Sequence, residues 1–339
     1  MVQPLTDSQC NLIHDLALDA RSLLTREAQE LLEGVYGLYT DGRLDPPDKL
    51  PQVQADPETS ETYRRLAQFL DDESRAGMAR ADAVDKLVKE IAFTHLNRLV
   101  AFKMLEARGL IRGTVDKGTD SNGFKFYLAD PEHAADLVLY ERGDADTAYR
   151  HFLLWQAGQV AQEVRVLFDP DTLPSRLFPR PRALHALLEL LNRAELADAW
   201  HADETVGWVY QYFNEPELQA AFERMRTSGA KFEAKDIPSA TQLFTPHWIV
   251  KFLVQNTLGR LWVELHPDTD PTCPAGARAR FRGQAPGVRA GAGRARAPQR
   301  HREHRGPLIN LCALCVSVAI SLQQIAIYGI ISLWNSHSF

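Results

Sequence analysis

A mainly α-helical fold is the class this sequence predicts, and two observations carry it. Apolar residues recur at three- and four-residue spacing through most of the first 270 positions, which is the period of one helix face rather than of a half-buried strand. Between these stretches stand short polar or proline-containing segments and a well-placed glycine, the punctuation that separates helices. Taken in order, Leu12, Ile13, Leu16, Leu23, Leu24, Leu31, Leu32, Val35 and Leu38 mark one helix or a broken pair. Segment 41–61, polar and proline-containing, reads as a loop. The clearest helix spans about 82–108, where Val84, Leu87, Val88, Ile91, Leu96, Leu99, Val100, Met104 and Leu105 build an apolar stripe and Gly109 supplies the stop. Segment 116–123 reads as a polar turn, and Pro170, Pro174, Pro179 and Pro181 break the chain before a Leu-rich helix at 183–199. A last helix is expected to open at Pro246, whose fixed φ suits a first turn, with Thr245 as its cap, and to run to about Leu265.

Composition changes abruptly between Asp270 and Pro271. Of the 36 residues in 271–306, 27 are Arg, Ala, Gly or Pro, including nine Arg against the single Glu303, and 307–339 carry no charged side chain. The whole chain holds 38 Lys and Arg and 44 Asp and Glu, so 1–270 retain 29 basic and 43 acidic residues, a net charge of −14. A surface whose main task is to neutralise phosphates shows the opposite balance. Four cysteines in 339 residues do not make a disulfide framework, and the N-terminus lacks a basic-then-apolar export pattern; both point to a reducing, cytoplasmic setting. Cys312-Ala-Leu-Cys315 has the spacing of a zinc knuckle but no second ligand pair, so no metal site is expected.

Two features inside predicted helices invite a functional reading. His95, Asn97 and Arg98 interrupt the long apolar stripe, and the reading adopted is a polar flank or a satisfied core histidine rather than a ligand set. The aromatic run Trp208-Val-Tyr-Gln-Tyr-Phe213 has the character of a base-stacking platform, yet such runs are more often core, and core is the expectation.

The most specific pattern is Ile237-Pro-Ser-Ala-Thr-Gln-Leu-Phe-Thr-Pro-His-Trp-Ile-Val250, in which Phe244-Thr-Pro246 opens an amphipathic helix. With Gly207-Trp-Val-Tyr-Gln-Tyr-Phe-Asn214 and Glu90-Ile-Ala-Phe-Thr-His-Leu-Asn-Arg-Leu-Val100 before it, this sequence resembles the N-terminal region of adenine-specific DNA methyltransferases of BREX phage-defence systems, the PglX type. Three separated blocks in the right order cover roughly 10–268. The resemblance implies a helical N-terminal domain, 1–236, leading at 237–268 into the first helix of an incomplete, Rossmann-like α/β domain that uses S-adenosylmethionine. It also implies that Phe244, Thr245 and Pro246 edge the cofactor pocket. The chemistry is sound, because free N–H groups at a helix start meet a carboxylate and an aromatic ring covers an adenine or a sulfonium. Without the flanking blocks, the same tripeptide would be read as an ordinary helix cap.

What that resemblance places next is missing. Methyl transfer to the amino group of adenine requires a glycine-rich turn to seat the cofactor and an Asn/Asp-Pro-Pro-Tyr/Phe loop to hold the flipped base, and neither follows. Leu44-Asp-Pro-Pro-Asp48 shares letters with the second, but Asp48 stands where the stacking aromatic belongs, and the segment reads as a loop. No catalytic residue is therefore expected, and S-adenosylmethionine and DNA are expected as cofactor and partner of the family but the cofactor not as a ligand of this chain. The tail 269–339 reads as an out-of-frame or inserted, disordered stretch. Its apolar run 308–334 is long enough to span a bilayer but is interrupted by Gln323-Gln324, and membrane is not an expected partner. Two readings from other classes stay open: a non-catalytic module docking on defence-complex proteins or DNA, and a tail-anchored membrane protein.

Overall fold

The computed structural model describes residues 5–162, 165–229, 231, 244–245 and 247–265. The expectations for 237–243, for Pro246 as a first helical residue, for Cys312 and Cys315, and for the tail 269–339 with its run 308–334 lie outside the described residues. Among those described the fold is mainly α, and the extended pairing is a lone antiparallel bridge between Leu38 and Leu44. They fall into two units, one ending at Phe244 and one starting at Thr245.

Two long helices organise the first unit. Helix α1, Asp7–Tyr36, is continuous rather than a broken pair. Thr6 and Gln9 form a reciprocal capping box at its start, and Gly37 closes it in the left-handed conformation at φ 60°. Helix α4, Arg80–Ala107, matches the predicted long helix and stops ahead of Gly109, at φ +70°. Its buried residues Val84, Leu87, Val88, Ile91, Leu96 and Val100 meet the stripe Ile13, Leu16, Ala20, Leu24 and Ala28 of α1, to which α4 packs.

The segment 41–61 is not the loop that its prolines suggested. It contains helix α2, Pro51–Ala55, and the first turn of helix α3, Pro57–Arg75. Pro51 and Pro57 occupy the first positions of these two helices, where a missing N–H costs nothing, and Asp56 caps α3 by accepting from Thr59 N–H at 2.8 Å. Beyond α4 come helices α5 (Asn122–Leu128), α6 (Ala134–Glu141) and α7 (Ala145–Ala161), packed around Phe124, Tyr127, Tyr149 and Phe152. Two single turns follow, α8 (Arg165–Phe168) and α9 (Leu173–Arg176). The Leu-rich helix, α10, is shorter than expected, Pro181–Leu191. Asn192 ends it, with its side chain accepting from Lys103 Nζ at 2.6 Å and donating to the Val115 carbonyl at 3.0 Å. Residues expected to extend that helix form two 3-10 turns instead, Ala194–Leu196 and Ala199–His201.

The polar residues inside α4 are structural. Arg98 is buried and staples α4 to the irregular segment after α7: Nε donates to Leu167 O at 2.6 Å, and Nη2 donates to Asp169 O at 3.0 Å and Ser175 Oγ at 2.6 Å. Burial lowers its pKa to about 10, against the opposing charge of Asp169. His95 is buried beside it, with Nε2 donating to the carbonyls of Pro174 at 2.9 Å and Leu177 at 3.1 Å. A cavity of about 20 Å³ lies against His95, Arg98, Leu99 and Phe102, room for a single water and far too little for an adenosyl group.

Burial first, and the Arg98 charge second, lower the pKa of His95 from 6.5 to about 3. In the unfolded chain His95 takes up a proton as pH falls below 6.5, whereas in the fold it stays neutral until about 3. Its contribution to stability is therefore complete above pH 6.5 and is lost progressively as pH falls through that window. At about 1.4 kcal/mol per pH unit, the loss by pH 4.5 should reach roughly 2–3 kcal/mol. Denaturant unfolding of the wild type and of His95→Gln, which cannot titrate, should therefore show a shallower acid slope in the variant. Parallel slopes would contradict this role for His95.

The second unit, as far as it is described, is one helix. His247–Val254 continues through a π-turn, Gln255–Gly259, into Arg260–Leu265. Asn256 and Thr257 bond back to the carbonyls of Phe252 and Leu253, both at 2.7 Å, alongside the widened turn.

Candidate functional site

The aromatic run of the sequence forms helix α11, Thr205–Phe213, followed by helix α12, Glu215–Ser228. Helical periodicity splits its side chains between two faces. Val209, Tyr210 and Phe213 are buried, with Phe93 of α4 meeting the rings of Tyr210 and Phe213 edge-on at 5.5 and 5.4 Å. Burial raises the Tyr210 hydroxyl to about 12, so it stays protonated at ordinary pH. The opposite face holds Trp208 and Tyr212, four residues apart and stacked at 5.4 Å, with His14 of α1 edge-on to Tyr212 at 5.0 Å. The expectation of a core helix thus describes half of the run.

The end of α11 is pinned by charge. Arg21 of α1 donates to the Phe213 carbonyl and to both carboxylate oxygens of Glu217, and its guanidinium lies 5.0 Å from the Phe213 ring. Lys89 of α4 adds a second cation 3.1 Å from Glu217. Burial pushes the Glu217 carboxyl upward, but the hydrogen bond and charge of Arg21, with Lys89, outweigh it and leave the pKa lowered.

Onto the outer face of α11 comes Phe244, the first residue of the predicted cofactor-side tripeptide. Its ring meets Trp208 at 5.3 Å and an interplanar angle of 61°, and its backbone N–H donates to Gln211 Oε1 at 3.0 Å. The ring also lies directly over Gly207: a Cβ there would overlap it, with even the farther Cγ only 2.8 Å away. Thr245 is half-buried, and Pro246 lies outside the described residues. Of the three site residues expected from sequence, the structure therefore places one in detail, and it is held by the helical unit. Gly207, Trp208 and Gln211 were not anticipated as its partners. A buried glycine in the first turn of a nine-residue helix, beside an aromatic run, was the available signal. Phe244 is engaged on the α11 side by Gly207, Trp208 and Gln211. Among the described residues no cluster of three His, Cys, Asp or Glu side chains could hold a metal ion, and no helix is long and apolar enough to cross a membrane.

A helical unit that ends by seating Phe244 is the structural class these observations define. No family model matches the chain. It is similar to the adenine-specific methyltransferase BrxX of Escherichia coli O9:H4 (strain HS), 31% identical over 210 residues covering 56% of this chain and 17% of that protein. It is also similar to the adenine-specific methyltransferase PglX of Lacticaseibacillus casei (strain Zhang), 31% identical over 220 residues covering 57% and 18%. Over that span the chain is similar to these two adenine-specific methyltransferases, and it spans less than a fifth of their length.

Proposed function

We propose that this chain is the helical portion of a BREX-type, S-adenosylmethionine-dependent DNA adenine methyltransferase, and that by itself it does not transfer methyl groups. The observation that carries the reading is the pairing of the two curated similarities with an all-helical unit that ends by seating Phe244. Residues 1–236 are assigned to the helical domain, 237–268 to the start of the methyltransferase domain, and 269–339 to an out-of-frame or inserted tail. Phe244, Thr245 and Pro246 would meet S-adenosylmethionine at one edge of its pocket, with the rest of the pocket and the flipped adenine held by motifs that these 339 residues do not contain. The net charge of −14 over 1–270 supports a unit that leaves most phosphate contact to other surfaces. DNA and defence-complex proteins are then partners of the complete enzyme, and the setting is cytoplasmic.

A chimera tests this reading, with residues 1–265 replacing the segment of the Escherichia coli relative that they match. Chromosomal DNA of a host lacking its own copy should acquire adenine methylation. A chimera that accumulates in soluble form and leaves the DNA unmethylated would contradict the assignment.

A further inference from the structure

Helix α11 carries a glycine for which its backbone has no need. Gly207 lies outside the set of residues with positive φ, stands third in the helix and is buried, so a left-handed conformation does not account for it. The missing side chain has one visible consequence, which is to let the Phe244 ring lie against the helix backbone. Gln211 stands four residues on, on the same face, and takes the Phe244 N–H. Trp208 meets the ring edge-on, and its indole Nε1 is buried with no hydrogen-bond partner among the described residues. Ring contact alone would allow the chain to pivot about the aromatic plane. The added bond to the backbone N–H fixes the main chain at Phe244 as well.

We propose that Gly207, Trp208 and Gln211 form a seat on the helical unit that fixes the ring and main chain of Phe244, so that this residue of the tripeptide assigned above to the cofactor edge is positioned by α11. The inference rests on the function proposed above for its purpose, and on geometry alone for the seat. The seat is rooted in the core of the unit: Val209, Tyr210 and Phe213 are buried beneath it, and Arg21 holds the last carbonyl of α11. These are positioning residues, because they touch Phe244 and not the reacting atoms. Preorganisation of this kind lowers the ordering cost of ligand binding.

Amide hydrogen exchange on the full 339-residue chain tests the seat directly. Gln211→Leu keeps the size of the side chain and removes the acceptor, whereas Gln211→Glu keeps an acceptor. The Phe244 amide should exchange at least tenfold faster in the first variant and retain its protection in the second, with the midpoint of thermal unfolding unchanged in both. Gly207→Ala should likewise expose the Phe244 amide, and it should lower the unfolding midpoint in the wild-type background but not in Phe244→Ala, where the obstructing ring is gone. Phe244 exchange at the unfolded rate in the wild type, or exchange unmoved by Gln211→Leu and Gly207→Ala, would overturn the seat. Its purpose is read in the active chimera, where Gly207→Ala should raise KM for S-adenosylmethionine severalfold with kcat little altered. An unchanged KM there would overturn the positioning role. A chimera inactive even without the substitution would count against the function proposed above while leaving the exchange result intact.

Discussion

Leu96→Asp is expected to unfold the helical unit. Leu96 is fully buried on α4, the helix that packs against α1, α3 and α11, so the new carboxylate has no path to water. Leu99, also buried on α4, is the less decisive position. It lines a small cavity together with Arg98, whose positive charge would offset part of the cost of a new carboxylate. An unpaired charge in such a site costs several kcal/mol even after protonation and local relaxation, and the lost leucine packing adds about 2–5 kcal/mol. Together these approach the whole stability of an ordinary domain, about 5–15 kcal/mol. Circular dichroism should show the cooperative thermal transition abolished or moved below room temperature, with the isosteric Leu96→Met little changed. A melting curve for Leu96→Asp that overlays the wild type would remove α4 from the centre of the fold.

The parts of this fold that were legible in the sequence are those governed by local periodicity. Helices α1 and α4 are long, their apolar stripes repeat over many turns, and Gly37 and Gly109 close them in the left-handed region, so pattern and structure agree. Helices α2 and α3 were hidden because proline signals both a loop and a first helical position, and only the tertiary context of Val53, Leu66 and Leu70, all buried, distinguishes the two. The Leu-rich helix was drawn too long because its end depends on Asn192 reaching Lys103 on another element, which no local pattern records. The burial of His95, Asn97 and Arg98 agrees with the reading of satisfied polar groups, although the carbonyls that satisfy His95 (Pro174 and Leu177) and Arg98 (Leu167 and Asp169) come from a distant segment of the chain.

The candidate site divides in the same way. Phe244, Thr245 and Pro246 were proposed through a resemblance, not through periodicity, and the chemistry assigned to them rests on it. The seat beneath Phe244 joins residues 33 positions apart, so the helix that carries it announced only a core face of aromatics and one unexplained glycine. Trp208 and Tyr212 show how one aromatic run serves two surfaces, because residues four apart share a face and their neighbours do not.

Purified as these 339 residues, the protein is expected to show no methyl transfer to DNA. In the function proposed above, Phe244, Thr245 and Pro246 supply only one wall of a cofactor site. The glycine turn that admits the cofactor and the loop that grips an extruded adenine are absent from the sequence. Without them the reacting groups are not held together, and the proximity contribution forfeited can reach roughly 7–11 kcal/mol, which corresponds to at least a hundred-thousand-fold in rate. Calorimetric titration with S-adenosylmethionine should correspondingly give no saturable heat at millimolar ligand. The most direct test is incorporation of labelled methyl groups from S-adenosylmethionine into unmodified DNA by the purified chain, run beside Pro246→Asp. Label no higher than a protein-free control in either sample is the predicted result. Label above that control in the wild type, lost in Pro246→Asp, would contradict the account and place a complete catalytic site within this chain.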